Sequence, residues 1–154
     1  MAFDKPPRGP LSTRDAAEAA FKKAHELKPD DGRPVLMLAD LYNSMGRRDE
    51  AAAMATKAAS MGAAGGGGSA QDAYNQGVIL WNAGKIAEAK AQFEASVKAD
   101  PNYADANYWV GMANLNGGNM AEAQKYFENY LKLAPTGPMA AQAKGILDSI
   151  KPKE

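Results

Sequence analysis

The feature that most constrains this chain is a fixed spacing. Gly77, Gly111 and Gly145 follow one another at 34-residue intervals, and so do the pairs Gly84/Gly118, Glu88/Glu122, Ala89/Ala123, Phe93/Phe127 and Pro101/Pro135. A period of this size marks a small unit repeated in tandem, which must stack on its neighbours because no single unit buries its own apolar face. The two clearest segments, "AYNQGVILWNAGKIAEAKAQFEASVKADPN" and "NYWVGMANLNGGNMAEAQKYFENYLKLAPT", each predict a helix, a turn at Gly84 or Gly118, and a second helix ended by proline. Glycine or alanine at the crossing points lets helix backbones approach, and the phenylalanine fills the gap toward the next unit.

The spacing continues toward the N-terminus, where Ala17/Ala51 and Ala24/Ala58 are again 34 apart. Gly46 to Gly84 and Ala51 to Ala89 are instead 38 apart, so the register slips once, by four residues. The slip falls in the interval that contains "GAAGGGGSA", Gly62 to Ala70. A phosphate-binding loop would need a lysine and a hydroxyl residue after its glycines, on a strand-to-helix turn. Here "SAQDAY" follows Gly68, with no lysine, and the preceding element is a predicted helix. The run therefore reads as an enlarged turn with the composition of a flexible tether, without the closing proline, Ala63 standing in its place. GGGGS is also a common designed linker, so a native and an engineered origin both stay open. The periodicity predicts helices over 12–28, 34–45, 48–61, 70–83, 86–99, 104–116, 120–133 and 138–150.

A 34-residue helix–turn–helix with small residues at two helical positions, an aromatic four residues after the second, and a closing proline resembles the tetratricopeptide repeat (TPR) family. Gly77, Gly84, Ala89, Phe93 and Pro101 carry the match in one repeat, and Gly111, Gly118, Ala123, Phe127 and Pro135 in the next. An earlier repeat supplies Ala39, Tyr42, Gly46, Ala51 and Ala58; a lone second helix supplies Ala17, Phe21, Ala24 and Pro29. The resemblance implies an all-α, right-handed α-solenoid of antiparallel helix pairs with a C-terminal capping helix. The expected layout is a disordered segment 1–11, an N-terminal block 12–61, the tether 62–69 and a C-terminal block 70–150. A solenoid that opens on a second helix suggests a fragment, or an end covered by another copy.

Several positions depart from the family pattern. Val35, Ala73 and Asn107 stand where an early aromatic is usual, and Asn114 where a large residue is expected, a volume that Trp109 is placed to fill. Ala55 replaces the packing aromatic, which predicts that the join just before the glycines is the loosest. The last helix, with Gln142, Lys144 and Asp148, reads as a cap with one wet face.

The resemblance places ligands on the concave side, lined by the first helix of each repeat. Its positions here are Arg33, Leu36, Asp40 and Asn43; then Gln71, Tyr74, Asn75, Val78, Trp81 and Asn82; then Asp105, Tyr108, Trp109, Met112, Leu115 and Asn116. The candidate peptide-binding set is Tyr74, Asn75, Val78, Trp81, Asn82, Tyr108, Met112, Leu115 and Asn116, with Tyr74 and Tyr108 expected half-exposed and Trp109 expected in the core. Apolar anchors flanked by amides suit a peptide groove. Arg33 is the only cation of the stripe, which disfavours the C-terminal carboxylate bound by chaperone-docking members.

The leading expectation is a non-enzymatic scaffold that binds a peptide or helix of a partner protein. The alternative is a self-assembling, domain-swapped homo-oligomer or an engineered repeat array. With 18 basic and 18 acidic residues the chain has no basic excess for nucleic acid, and no apolar run of about 20 residues for membrane insertion. There is no cysteine, hence no disulfide or thiol chemistry. His25 is the single histidine and is expected at the surface, so neither general acid–base catalysis nor a metal site is indicated, and no cofactor is expected. Compartment stays open, the cytoplasm favoured and the periplasm an option for a fragment of an exported protein.

Overall fold

The computed structural model describes residues 12–62 and 69–151. The expected disordered segment 1–11 and the core of the expected tether, 63–68, lie outside the described residues. Among those described there are eight helices and no strand: α1 (Thr13–Leu27), α2 (Arg33–Ser44), α3 (Arg48–Ser60), α4 (Ala70–Asn82), α5 (Ile86–Ala99), α6 (Ala104–Asn116), α7 (Met120–Leu133) and α8 (Ala140–Ile150). Each packs on the next in an α-solenoid, so that α2, α4, α6 and α8 are first helices and α1, α3, α5 and α7 second helices. No boundary differs from the sequence expectation by more than two residues.

The ends of the helices follow from local chemistry. Ser12 and Ser69 cap α1 and α4 by accepting N–H bonds from Asp15 (3.2 Å) and Asp72 (3.1 Å). Asp72 returns the favour by accepting from the Ser69 N–H, which completes a capping box. Each first helix of a complete pair ends in the same motif: the N–H of Arg47, Lys85 or Asn119 donates back to the carbonyl of Tyr42, Leu80 or Asn114, each at 2.9 Å. That closure needs a left-handed residue just before the donor, supplied by Gly84 at φ +80° and equivalently by Gly46 and Gly118. The helices α1, α5 and α7 stop at Pro29, Pro101 and Pro135, whereas α3 ends in a left-handed Gly62. The last helix starts two residues later than expected, and its N-cap residue Met139 donates its N–H to the Tyr130 hydroxyl (3.1 Å).

Packing within each complete pair turns on one contact. A Cβ on Gly77 would lie 2.5 Å from the Phe93 ring, and one on Gly111 3.0 Å from the Phe127 ring. In the first pair both partners are small, Ala39 and Ala55, and both are fully buried. Leu38, Tyr42, Ala52, Leu80, Phe93 and Val110 nevertheless belong to one core that runs from α2 to α6. The contact of α3 with α4 is the smallest between successive helices, as the missing aromatic at Ala55 predicts. At the other end Glu18 holds α1: it accepts from the Tyr42 hydroxyl (2.9 Å) and pairs with Arg47 (3.3 Å), whose guanidinium lies over the Tyr42 ring.

Gly145 occupies the same repeat position as Gly77, yet nothing lies within 4 Å of where its Cβ would be. The two glycines should therefore respond oppositely to alanine. Gly77→Ala drives a methyl into a buried ring and should cost about 1–3 kcal/mol; Gly145→Ala should add up to about 1 kcal/mol through helix propensity. Urea unfolding of both variants checks the pair, and equal effects would show that the ring contact does not set the packing.

Candidate functional site

The four first helices present equivalent positions on one face, and the repeat register identifies them. One row is Leu36, Tyr74, Tyr108 and Gln142; the next is Asp40, Val78, Met112 and Ile146; the third is Asn43, Trp81, Leu115 and Ser149. Between neighbouring first helices these rows frame two open grooves. The groove between α2 and α4, about 450 Å³, is lined by Asp40, Asn43, Tyr74, Asn75, Val78 and Ile79. The groove between α6 and α8, about 480 Å³, is lined chiefly by Tyr108, Met112, Leu115, Gln142, Ile146 and Ile150.

The structure thus brings Tyr74, Asn75 and Val78 together at one end of the face and Tyr108, Met112 and Leu115 at the other. Trp81 sits between them, half-buried, edge-on to Trp109 with ring centroids 5.1 Å apart. Asn82 and Asn116 are exposed at helix ends and line neither groove. Gln142, Ile146 and Ile150 of α8 were missed as groove residues because that helix read as a cap. The signal was present, since Ile146 is 34 residues after Met112.

The expectation of a half-exposed Tyr108 needs correcting. Its side chain is only 5% exposed, wedged edge-on among Trp109, Phe127 and Tyr130, with its hydroxyl donating to Gln142 Oε1 at 3.2 Å. Only an edge of Tyr108 reaches the groove, because the residue bridges α6, α7 and α8. Tyr74 does remain half-buried, tilted against Phe93 and Tyr103. Leu36 is also core, packed with Val35 and Ala58. Trp109 stacks on Phe93 (5.7 Å, 16°), toward the preceding repeat, and so does not fill the place of Asn114. Asn114 is buried and satisfied on its own helix by donating to the Val110 carbonyl (2.9 Å). Asn107, in the early aromatic position, donates to the carbonyls of Pro101 and Tyr103.

The electrostatics of the two grooves differ. Arg33, the stripe's one arginine, is forked onto Asp31 at the exposed start of α2, with Nη2 to Oδ2 at 2.8 Å and Nε to Oδ1 at 3.0 Å, and lines neither groove. Asp40 forms no ion pair or hydrogen bond among the described residues. Burial, with the negative charge of Asp72 as a smaller contribution, pushes its carboxyl up to about 6 from an ordinary 3.8. His25 is half-buried: Nε2 lies 3.1 Å from Lys57 Nζ and Nδ1 is buried without a partner, so it is not the surface residue expected. Among the described residues no group of three or more metal-ligating side chains converges, and no helix is long and apolar enough to cross a membrane.

Asp40 gives a prediction with a sign. Between pH of about 4 and 6 the folded protein holds a proton that the unfolded chain has lost, so stability falls as pH rises through that window. Asp40→Asn should therefore stabilise the protein at pH 7.5, by about 1 kcal/mol once the carboxyl's partial exposure is allowed for. The gain should vanish below pH of about 4, where both forms are neutral. Thermal unfolding of the two proteins across this range is the check, and a constant difference at all pH values would contradict the assignment.

Two family models, both described as tetratricopeptide repeat, match residues 13–60 and 74–138. Among solved structures, a crystal structure of MamA superposes with a TM-score of 0.70 at 20% identity, over 92% of this chain and 90% of that one. YrrB, described as a TPR protein with an unusual peptide-binding site, gives 0.67 at 23% identity, over 86% of this chain and 66% of that one. The Yersinia enterocolitica type III secretion chaperone SycD, in complex with a peptide of the translocator YopD, gives 0.62 at 14% identity, over 75% and 88%. At these identities the likenesses concern the fold. No curated protein sequence matches the chain. The period, the left-handed turn at each first-helix end, the glycine–phenylalanine contact and both family models agree: the chain belongs to the tetratricopeptide repeat family.

Proposed function

We propose that this chain is a non-catalytic docking module that binds a peptide or helix of a partner protein along the concave face formed by its first helices. The observation that carries this is the pair of open grooves at equivalent places, α2–α4 and α6–α8, on that one face. Two helix spacings of about 10 Å separate them, a span that about six residues of extended chain would cover. The α6–α8 groove offers Met112, Leu115, Ile146 and Ile150 as an apolar seat, with Gln142 at its edge for orientation. YrrB is described as having a peptide-binding site and SycD holds a peptide, which supports the same use of the fold here.

Selection from a display library of nine-residue peptides tests the reading. Met112→Arg places a charge in the apolar seat without touching the buried Tyr108, and should leave the unfolding midpoint within a few degrees of wild type. Peptides selected on the wild-type protein should lose about tenfold or more of their affinity for this variant, the desolvation cost of a buried charge. Full binding to Met112→Arg would move the site off this face.

A second reading, exchange of the blocks 12–61 and 70–150 between two chains, draws on the small α3–α4 contact. Either block could make that contact with a neighbour's copy. Light scattering from micromolar to millimolar protein should then show a dimer whose population changes when four residues are removed from 62–69. A monomer at every concentration would eliminate this reading.

A further inference from the structure

The second row of the first-helix face carries an inconsistency. Its members are apolar in three helices, Val78, Met112 and Ile146, and acidic in the fourth, Asp40. Nothing in the fold requires the acid. It caps no helix, since it lies eight residues into α2, and it meets no cation among the described residues. Asp72, the acid that bears on it, is engaged in the Ser69 capping box. Asn75 beside it presents an acceptor, although its Oδ1 already receives the Gln71 amide at 2.8 Å. An acid that costs the free protein stability, kept at a groove floor where its equivalents are apolar, is the pattern of a binding position.

We infer that the α2–α4 groove receives a Lys or Arg side chain of the docked segment, with the Asp40 carboxylate as its counter-charge and Tyr74 and Val78 against its aliphatic stem. This rests on the docking reading above and adds the charge of the partner to it. The groove has the make-up such a side chain needs. Its lining is half polar and half apolar in kind, with Asp40 and Asn43 on α2 across from Tyr74, Asn75, Val78 and Ile79 on α4. A cation entering it meets half-buried Tyr74 as well as the carboxylate. The only arginine of the stripe, Arg33, pairs with Asp31 and lines neither groove, so it does not offset the Asp40 charge in this one. A partner that fits both grooves therefore carries a basic residue and, about six positions away, an aliphatic or aromatic one.

The same nine-residue display library, panned on full-length wild type and on Asp40→Asn, tests this. Wild-type binders should carry Lys or Arg at one fixed position, and that enrichment should disappear on Asp40→Asn. A synthetic wild-type binder should bind the variant about tenfold more weakly, the loss expected for a hydrogen-bonded charge. Replacing its basic residue by norleucine should cost the same on wild type and nothing further on the variant. Asp40→Asn is expected to melt at or above wild type, so loss of binding cannot be loss of fold. Binders that fail on Met112→Arg but show no basic residue would overturn the charge assignment alone. Basic binders that hold equally to Asp40→Asn would overturn it too. Binders indifferent to both variants, or no binders at all, would overturn the docking reading along with it.

Discussion

Everything in this solenoid depends on how closely the two helices of a pair can approach, and a glycine against a phenylalanine ring decides that. Gly77 leaves room that a Cβ could not share with Phe93, and Gly111 room that a Cβ would share with Phe127 only tightly. The rings are then free to do two jobs, filling the pair's own interface and offering a surface to the next first helix. Phe93 does both, stacking on Trp109 of the next first helix, whereas Phe127 meets Tyr108 edge-on within its own pair. The second and third pairs are thus joined by a ladder of aromatic contacts, Phe93 and Trp81 against Trp109 and Tyr74 against Tyr103, each worth about 0.5–1.5 kcal/mol beyond its buried area.

Where the ladder is interrupted the architecture changes character. The Ala39–Ala55 pair closes the first repeat with small side chains on both sides, so α3 has no ring to hand on to α4. The N-terminal helices compensate with polar contacts: Glu18 links α1 to Tyr42 and Arg47 across the turn that precedes α3. Polar networks of this kind hold geometry well but contribute modestly when exposed. The core therefore remains continuous from α2 to α6 while its mechanical continuity is weakest beside the glycine run.

The helices and their pairing were legible in the sequence because the repeat imposes the same residue types at the same spacing. A glycine, an alanine, a phenylalanine and a proline in register specify approach, crossing, filling and termination. The site was legible only in outline. Register places Tyr74 and Tyr108 at the same position, yet one is half-buried and the other is core: Tyr108 is wedged among Trp109, Phe127 and Tyr130 and bonded to Gln142 of α8, whereas Tyr74 meets only the rings of Phe93 and Tyr103. Burial of a surface position depends on the neighbour that follows, which a per-repeat pattern does not encode. Ile146 and Ile150 went unread for the converse reason: a helix with a wet outer face still turns an apolar one inward. Trp109 likewise packed backward onto Phe93 where forward packing toward Asn114 looked natural, since a flat ring on a flat ring buries more than an indole beside an amide.

These observations separate two kinds of position in a repeat protein. Those at the helix crossings are held by mutual fit, and a change such as an added methyl at Gly77 propagates through a ring to the next repeat. Those on the open face of the first helices are partly buried, packed against the core on one side and lining the grooves on the other, and their side chains differ from repeat to repeat while the stack is kept. Asp40, Val78, Met112 and Ile146 are one such set, and their divergence from acid to aliphatic gives the face a polarity along its length. The scaffold needs no such polarity, because an aliphatic residue serves in three of the four places. A segment lying across the face would feel it at once, through the charge it must bring to one end and the apolar surface it must bring to the other. On the proposed docking reading, this row of residues is what would set the direction in which such a segment lies.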